Sequence, residues 1–323
     1  MRLVTDLDST TLAGPTFLTI GNFDGVHRGH QALFAKLRAL AAAHQPAAQS
    51  ALLTFDPHPL TILRPDRELK LLTTPLERIG LAAESGIDIG IIQPFSKELA
   101  ALTPAQFLQI LKDRLGLAGL VVGPDFALGH ERSGNLETLA ALGQSIGYEL
   151  HVVEPVDWQD HPVRSSIIRS LIETGEIEEA GELLGRKYHL TGTVVEGDKR
   201  GRTIGFPTAN LQVPAHKLLP ANGVYATLAH LESLEGKPVF ASATNIGMRP
   251  TVNGLNLRVE PYLIDFPTPG ISDNLYGQTI RLEFVARLRG EQRFPSLDAL
   301  IQQIGQDAER AKALLYRKRA QMR

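Results

Sequence analysis

The sequence contains no cysteine, which excludes disulfides, cysteine-based zinc sites and a cysteine nucleophile. Any bound metal must therefore use oxygen or imidazole ligands. No stretch approaches the ~20 consecutive apolar residues of a transmembrane helix, and the first residues lack the apolar segment of a secretory signal. We therefore expect a cytoplasmic protein without membrane association.

Two common nucleotide-binding signatures are also missing. No two of the 29 glycines stand two positions apart, and no glycine lies five positions before a Gly-Lys pair. The sequence therefore has neither the GxGxxG dinucleotide fingerprint nor a Walker A P-loop. Any phosphate site in this chain must be built in another way.

The length and the charge distribution both predict two domains. A chain of 323 residues exceeds the ~250 to 300 residues at which single cores usually stop growing. Residues 1–185 carry 14 Lys and Arg against 23 Asp and Glu, a net charge of −9, whereas residues 186–323 carry 19 against 12, a net charge of +7. We place the boundary after Gly185. The basic run at the end has no interleaved aromatics, so it is interpreted as solvated surface rather than a nucleic-acid patch.

The first domain alternates short apolar runs with amphipathic stretches. This pattern predicts an α/β fold with a doubly wound parallel sheet, whose ligand crevice lies outside the carboxyl ends of the strands. Predicted strands are Phe17–Ile20, Ala51–Phe55, Ile87–Ile92, Leu120–Gly123 and Leu150–Val153, and predicted helices include Gln31–Ala43, Pro75–Glu84 and Pro104–Leu115.

The second domain has a different pattern of apolar and turn residues. After a helical stretch that ends near Leu184, short strand patterns are separated by Gly, Pro and Asn turns, which predicts an antiparallel β-barrel. A terminal helix follows, with Ser296 as its N-cap. Predicted strands are Leu190–Val195, Gly223–His230, Val239–Thr244, Arg258–Ile264 and Thr279–Ala286.

The segment Gly21–His30 joins the first predicted strand to a helix and reads GNFDGVHRGH. Its glycines let backbone amides approach a ligand, and the following helix N-terminus carries about half a positive charge, which favours phosphate. His27 and His30 can donate hydrogen bonds to triphosphate oxygens as charge develops on a leaving pyrophosphate. The alternative is that both are ordinary surface histidines on a glycine turn.

The segment Gly197–Leu211 combines three glycines and three basic residues with Thr208 and Asn210. Basic residues and glycines suit a polyphosphate, and the Thr and Asn oxygens are hard ligands that suit Mg²⁺. The loop is therefore a candidate site for ATP with Mg²⁺. The alternative is that Pro-Thr-Ala-Asn is simply a turn.

Gly21–His30 resembles the GxFDGxHxGH signature of the bacterial bifunctional riboflavin kinase/FAD synthetase family, whose first domain is an HxGH nucleotidyltransferase. The segments Thr54–Pro59 and Gly123–Gly129 resemble further family segments, and Val163–Arg169 is similar to its ISSTxIR segment, with Arg164 and Ser166 as departures. The resemblance implies catalytic roles for His27 and His30. It also implies that Gly21, Phe23, Asp24, Gly25, Gly29 and Arg169 contact the nucleotide. An ion pair of Arg169 with Glu173 is the alternative for that arginine.

Gly205–Asn210 matches the GxPTAN motif of flavokinases, which implies nucleotide contacts for Gly205 and Pro207 and metal contacts for Thr208 and Asn210. Glu260 lies in a segment similar to the family's VExHLLDF segment and is implied as the base that accepts the hydroxyl proton of riboflavin; a solvent-facing strand residue is the alternative. Pro261 and Tyr262 depart from that segment. Because proline lacks an amide donor, we expect this strand to lie at an edge or to bend.

The resemblance extends over nearly the whole chain and implies two reactions that need Mg²⁺ with ATP. Riboflavin and ATP would give FMN and ADP, and FMN and ATP would give FAD and pyrophosphate. The expected partners are ATP, riboflavin and FMN, with no nucleic acid and no membrane, and homo-oligomerisation stays open. The rival hypothesis is a nucleotidyltransferase whose basic barrel is only a binding module.

Overall fold

The computed structural model describes residues 1–8, 10–159, 161–197, 200–251, 254–266 and 275–321. Only the backbone is described at residues 200, 202, 248–251, 254–257 and 317–321. The chain divides into two compact units, Met1–Ser165 and Ser166–Arg323. The predicted boundary after Gly185 stays a prediction, but the helical stretch before Gly185 lies in the second unit.

The first unit is a parallel six-stranded sheet in the order β1-β4-β3-β2-β5-β6, flanked by helices. Its strands are β1 (Arg2–Val4), β2 (Thr16–Ile20), β3 (Gln49–Asp56), β4 (Ile89–Pro94), β5 (Leu117–Val122) and β6 (Glu149–Val152). Its helices are α1 (Arg28–Ala43), α2 (Pro59–Leu63), α3 (Pro75–Glu84), α4 (Lys97–Ala101), α5 (Pro104–Leu115) and α6 (Leu136–Ile146). A small hairpin follows, β7 (Asp157–Trp158) and β8 (His161–Pro162).

Apolar side chains of β2 alternate between the two faces of this sheet. Phe17 packs in a cluster with Phe34 of α1 and Ile79 of α3, whereas Leu18 packs in a second cluster with Leu108 of α5. The doubly wound arrangement is therefore confirmed. Because the strand order reverses between β2 and β5, the crevice at their carboxyl ends is the favoured ligand site.

Two predicted helices of the first unit have the bounds found in the structure. Both α3 and α5 begin with proline at the first position behind a capping box, Thr74 with Glu77 and Thr103 with Gln106. The helix α5 ends at Gly116, which adopts φ +61°. Such local signals fix helix ends without help from tertiary structure.

The second unit is a six-stranded antiparallel barrel, closed in the order β10-β13-β12-β11-β14-β9, with a long terminal helix. Its strands are β9 (His189–Val195), β10 (Asn210–Gln212), β11 (Gly223–His230), β12 (Val239–Thr251), β13 (Gly254–Leu263) and β14 (Thr279–Arg289). Its helices are α7 (Ser165–Thr174), α8 (Ile177–Leu184), α9 (Arg200–Thr203) and α10 (Leu297–Gln321).

The barrel and the terminal helix are confirmed. The side chain of Ser296 accepts a hydrogen bond from the Ala299 amide, as an N-cap does. Apolar residues on the outer face of the barrel, including Val224 and Ala243, pack against Ala311 and Leu315 of α10. The helical stretch before the barrel is broken into two helices at Gly175, which adopts φ +88°.

Of the two expectations for the strand that carries Pro261, an edge position or a bend, the edge position is wrong. The strand β13 lies between β12 and β10 in the closed barrel, and Pro261 pairs with Thr244. The carbonyl of Pro261 accepts from the amide of Ala209, just before the short strand β10. In an antiparallel strand the backbone nitrogen and carbonyl oxygen of one residue point to the same side. The nitrogen of Pro261, which has no hydrogen to donate, therefore faces this loop, and the hydrogen bonds between β12 and β13 are all kept.

Candidate active sites

The motif Gly21–His30 forms a sharp turn between β2 and α1. Within six residues the backbone is left-handed at Phe23 (φ +45°), Gly25 (φ +88°) and Val26 (φ +41°). A positive φ is uncommon for any residue with a side chain and is an outlier for a β-branched one. Such backbone persists only where its surroundings hold it, and it clusters at functional sites.

Asp24 holds this turn from inside. Its side chain is 3% exposed and accepts hydrogen bonds from the Leu72 amide (3.1 Å), the Thr73 amide (3.0 Å) and the Thr73 hydroxyl (3.1 Å). The hydroxyl of Thr73 in turn accepts from the amide of Gly25 at 2.9 Å. The carboxylate thus fastens the motif to the segment before α3, and its predicted contact with the nucleotide stays a prediction.

Arg78 is a second internal support, which the sequence reasoning missed. It is 1% exposed, and its Nη1 donates to the Asn22 carbonyl at 2.9 Å and to the Thr54 hydroxyl at 2.8 Å. Burial lowers the pKa of Arg78, while the nearby charges of Asp24, Asp56 and Glu77 raise it in part. The available signal was a basic residue within the buried stripe of α3, beside Ile79 and Ala82.

The two motif histidines lie directly on top of each other. Their ring centroids are 3.6 Å apart and the planes differ by 18°. His27 is the N-cap of α1 and 6% exposed, and its Nδ1 accepts from the His30 amide at 3.4 Å. The neutral ring of His27 then carries its proton on Nε2. His27 is therefore not a surface histidine, whereas His30 is partly exposed and the alternative stays open for it.

The glycines and Phe23 set the spacing of this cluster. The ring of Phe23 meets that of His30 edge-on at 5.2 Å. A Cβ at Gly21 would lie 3.0 Å from the Phe23 ring, and a Cβ at Gly29 would lie 3.3 Å from the His27 ring. The structure thus brings together Gly21, Phe23, Asp24, Gly25, His27, Gly29 and His30, all of which the sequence singled out.

Arg169 lies on α7, which belongs to the second unit, and is half-buried. Its contact with a nucleotide on the first unit therefore stays a prediction.

The second unit contains a cavity of about 480 Å³ on the outer face of the barrel, beside α10 and the loop that precedes β10. Among its lining residues are Pro207, Thr208, Asn210 and Glu260, which the sequence predicted from two segments about 50 positions apart. Gly205 is not part of the lining; it adopts φ +83°, and a Cβ there would meet no atom within 4 Å. Glycine is required at this position by the left-handed backbone conformation, and not by the close approach of another atom. Of the three basic residues of this loop, none has a described side chain.

Glu260 is directed to this cavity by the register of the barrel. It pairs with Asn245 on β12, and Asn245 and Glu260 both line the cavity. Its carboxylate is half-buried and lies 3.8 Å from the guanidinium of Arg258. Tyr262, two residues further, faces the same side and meets Phe206 edge-on at 5.3 Å. Burial raises the pKa of this tyrosine, with a smaller contribution from Asp265.

A buried ion pair closes the other side of the cavity, and no sequence pattern predicted it. Asp307 of α10 is 5% exposed and accepts from Arg289 Nε at 2.9 Å and Nη2 at 2.8 Å. Gln303 donates to its second oxygen at 3.0 Å. Both nitrogens of Arg289 thus bind the same carboxylate oxygen. These charge-assisted hydrogen bonds fasten α10 to the end of β14, so the helix forms a fixed wall of the site.

Both sites suit nucleotide phosphates. Within the described ranges, no three or more His, Cys, Asp or Glu side chains are grouped to hold a metal ion. Mg²⁺ in phosphoryl-transfer sites is held by one or two protein oxygens together with substrate phosphates and water. The oxygens of Thr208, Asn210 and Glu260 on one cavity fit an ion of that kind. The fold and the sites thus define a nucleotide-dependent transferase with two units.

Two family models match the chain, the FAD synthetase model over residues 10–167 and the riboflavin kinase model over residues 184–315. The bifunctional riboflavin kinase/FMN adenylyltransferase of Haemophilus influenzae is 35% identical over 297 residues, 92% of this chain and 93% of that protein. The protein of the same description from Bacillus subtilis is 34% identical over 91% of this chain and 90% of its own.

A solved structure titled as a macrolide-efflux protein from Streptococcus pneumoniae has a TM-score of 0.82 at 28% identity, covering 96% of this chain and 98% of its own. None of the described helices of the present chain is long and apolar enough to cross a membrane. The chain belongs to the bifunctional riboflavin kinase/FMN adenylyltransferase family. It is an enzyme of flavin cofactor synthesis with both activities.

Proposed function

We propose that the cavity of the second unit phosphorylates riboflavin and that the motif at β2 and α1 of the first unit adenylylates FMN. The observation that carries the proposal is the convergence of Pro207, Thr208, Asn210 and Glu260 on one cavity. A passive binding module would have no use for a carboxylate placed beside two hard oxygen ligands. The match of the riboflavin kinase model to the same part of the chain supports it.

In the kinase reaction, the primary hydroxyl of riboflavin attacks the γ-phosphorus of ATP. The bond from that phosphorus to the oxygen that bridges the β- and γ-phosphates breaks, and ADP leaves with the electron pair. Glu260 accepts the hydroxyl proton. Thr208 and Asn210 would hold the Mg²⁺ that accompanies ATP, and the bound ion would supply charge neutralisation at the phosphates, so the protein supplies mainly position and a proton acceptor. Apolar lining residues such as Val194 and Ile304 offer the flavin ring a dry surface.

In the adenylyl transfer, the phosphate of FMN is already ionised and attacks the α-phosphorus of ATP. No protein nucleophile is needed. His27 and His30, at the N-terminus of α1, donate hydrogen bonds to the phosphate oxygens, whose charge grows as pyrophosphate leaves. The rigid support of the turn by Asp24 and Arg78 keeps these donors in place before the substrate arrives.

The test is the Mg²⁺ dependence of each reaction measured separately in Asn210→Ala. We expect the Mg²⁺ concentration for half-maximal riboflavin phosphorylation to rise roughly tenfold or more, a typical loss when a metal site is disturbed. Adenylyl transfer should be unchanged. The matched control is Gln212→Ala, an exposed position on the same strand. An unchanged metal requirement, or equal damage to both reactions, would remove Asn210 from the site.

We also propose that the enzyme works in the cytoplasm, on ATP, riboflavin and FMN, without nucleic acid. The basic residues Arg317, Lys318 and Arg319 near the end of the chain, which we interpret as solvated surface, lie outside the described side chains. Light scattering of the purified chain, with and without substrates, would decide between a monomer and a homo-oligomer.

A further inference from the structure

The loop that precedes β10 lies along strand β13. Thr208 pairs with Tyr262 across an antiparallel bridge, and Leu211 pairs with Val259. The second pair is reached from the first by equal and opposite steps along the two segments, so both pairs belong to one register. This register places the predicted metal ligands of the loop beside the carboxylate of Glu260.

The backbone contact between this loop and β13 is incomplete at one position. The amide of Ala209 donates to the carbonyl of Pro261 at 3.0 Å. In an antiparallel pair that exchanges hydrogen bonds, the second residue donates back to the first. Proline has no N–H, so Pro261 cannot return a hydrogen bond to the carbonyl of Ala209. The attachment of the loop therefore depends more on side-chain contacts near this position.

Tyr262 supplies such a contact. Its ring meets the ring of Phe206 edge-on, with the centroids 5.3 Å apart, which is a favoured arrangement of an aromatic pair. Thr208 and Tyr262 lie next to the hydrogen-bonded pair in the register, so they form a pair of the alternate kind, in which side chains stand closest together. Both side chains line the cavity. The position of the tyrosine ring therefore bears directly on that of Thr208.

The terminal helix supports both rings of the aromatic pair. Tyr262 packs against the cluster that includes Ala308 and Ala311 of α10. A Cβ on Gly305 of the same helix would lie 3.7 Å from the tip of the Phe206 ring, which is ordinary van der Waals distance. Since a buried ion pair fastens α10 to the barrel, the two rings rest on a fixed surface.

We propose that Tyr262 is a positioning residue of riboflavin phosphorylation, whose ring holds Phe206 and Thr208 in place where Pro261 cannot donate a hydrogen bond. Thr208 has to keep a fixed distance from Glu260 if a metal ion and a substrate hydroxyl are to be aligned between them. Pro261 and Tyr262 both depart from the similar flavokinase segment, so the missing amide and the added ring compensate for each other. The inference rests on the proposed role of Thr208 as a metal ligand.

The first measurement is the Mg²⁺ dependence of riboflavin phosphorylation by the full chain. Tyr262→Leu should raise the Mg²⁺ concentration for half-maximal rate about tenfold and lower the turnover number by a similar factor, because the metal ligand is displaced. A smaller fraction of folded protein would lower the rate but would not change the Mg²⁺ requirement. Tyr262→Phe keeps the ring and should stay within about threefold of the wild type in both quantities.

The matched control is Phe240→Leu. It breaks another edge-on aromatic pair of the second unit, in which the centroids of Phe240 and Phe266 are 5.0 Å apart. Neither of these rings is part of the cavity lining. Phe240→Leu should therefore leave the Mg²⁺ requirement unchanged, and adenylyl transfer from supplied FMN should be normal in every variant.

The second measurement approaches the same contact from the loop. Phe206 lies outside the barrel strands, so Phe206→Leu disturbs the barrel less than a change on β13 does. It should raise the Mg²⁺ requirement as much as Tyr262→Leu, and the double variant should be no worse than either, because both residues act through one contact. If an unfolding curve shows that Tyr262→Leu does not fold, Phe206→Leu still decides.

The third measurement restores the missing donor. Pro261→Ala returns an N–H that can bond to the carbonyl of Ala209, so the loop gains a second backbone attachment. Tyr262→Leu should therefore raise the Mg²⁺ requirement less in the Pro261→Ala background than in the wild type.

Three outcomes would overturn the proposal: a normal Mg²⁺ requirement in Phe206→Leu or Tyr262→Leu, an equal effect of Tyr262→Leu with and without Pro261, or equal losses in Tyr262→Phe and Tyr262→Leu. Failure of the proposed function has a different signature, because Asn210→Ala would then keep the wild-type Mg²⁺ requirement. If only the positioning role is wrong, Asn210→Ala is impaired and Tyr262→Leu is normal.

Discussion

The two active sites are built in opposite ways. In the first unit, the candidate site is a turn of ten consecutive residues, and Asp24 and Arg78 hold its strained backbone. In the second unit, the candidate site is a cavity lined by a short motif in a loop together with several barrel strands and α10. A site of the first kind depends on local backbone shape, and a site of the second kind depends on the register and docking of distant elements.

The largest expected effect concerns how much of the chain the second unit needs in order to fold and to form its cavity. The amide of Ala221 donates to the Ile172 carbonyl at 3.1 Å, and Arg287 donates to the Thr174 carbonyl at 2.9 Å, so α7 is part of the second unit. Residues 166–323 should fold and phosphorylate riboflavin. Residues 186–323 lack α7 and α8, whose buried aliphatic side chains are worth about 1.5 to 3 kcal/mol each, and should be unfolded or marginal. Circular dichroism of both fragments checks this, and a stable, active 186–323 would support the boundary after Gly185.

Glu260→Gln should give the largest effect of a single substitution. Size and hydrogen-bonding reach are kept, but the proton acceptor is lost, which typically lowers a rate about 10² to 10⁴-fold. The turnover number of riboflavin phosphorylation is the measurement, taken across Mg²⁺ concentrations. Adenylyl transfer from supplied FMN is the internal control. Full rescue by added Mg²⁺ would mean that Glu260 serves the metal rather than the proton.

His30→Ala is the corresponding test of the proposed adenylyl-transfer site in the first unit. Removing one preorganised donor to developing charge typically costs about 10² or more in rate. FAD formation from FMN should fall by that factor, with riboflavin phosphorylation near normal. Damage of equal size to both reactions would indicate a folding defect, which an unfolding curve of the variant would reveal.

The contrast between the sites also explains what could be predicted from sequence. The turn at Gly21–His30 and the ends of α3 and α5 depend on local signals, so the position of the turn and the bounds of both helices were predicted correctly. The short strand β10 and the Arg289–Asp307 pair depend on which strands and helices meet, which no local pattern encodes. Arg78 was missed for a related reason, because a charge on an amphipathic helix is normally assigned to solvent.

Arg78→Met tests whether the strained turn needs its internal support. The change removes the guanidinium donor to the Asn22 carbonyl and to the Thr54 hydroxyl, while the hydroxyl of Thr54 still donates to that carbonyl at 3.2 Å. The loss of these charge-assisted hydrogen bonds should destabilise the first unit by about 1 to 3 kcal/mol. Arg78→Lys keeps the charge and one donor and should lose less. Denaturant unfolding measures the stability of each variant, and the rate of adenylyl transfer at low temperature shows whether the site still functions. A Met variant with wild-type stability would show that Thr54 and Asp24 hold the turn alone.

The smallest expected effect concerns a charged cluster on the barrel. Burial alone would raise the pKa of Glu283, but a hydrogen bond from His230 and the charges of His230, Arg281 and Lys187 outweigh it and lower the pKa to about 2. Because the folded-state pKa lies below the ordinary value of 4.5, this carboxylate stabilises the fold at neutral pH. That contribution is complete above about pH 5 and is lost as the pH falls through about 2.

Glu283→Gln should therefore lower the free energy of unfolding by about 1 kcal/mol at pH 7, since a partly exposed ion-pair network is worth little more. The deficit should shrink at pH 3, as measured by urea unfolding of residues 166–323. Glu232→Gln, which removes the more exposed partner of Arg281, is the matched control and should change stability less. A deficit that stays constant from pH 7 to pH 3 would mean that packing rather than charge makes Glu283 stabilising.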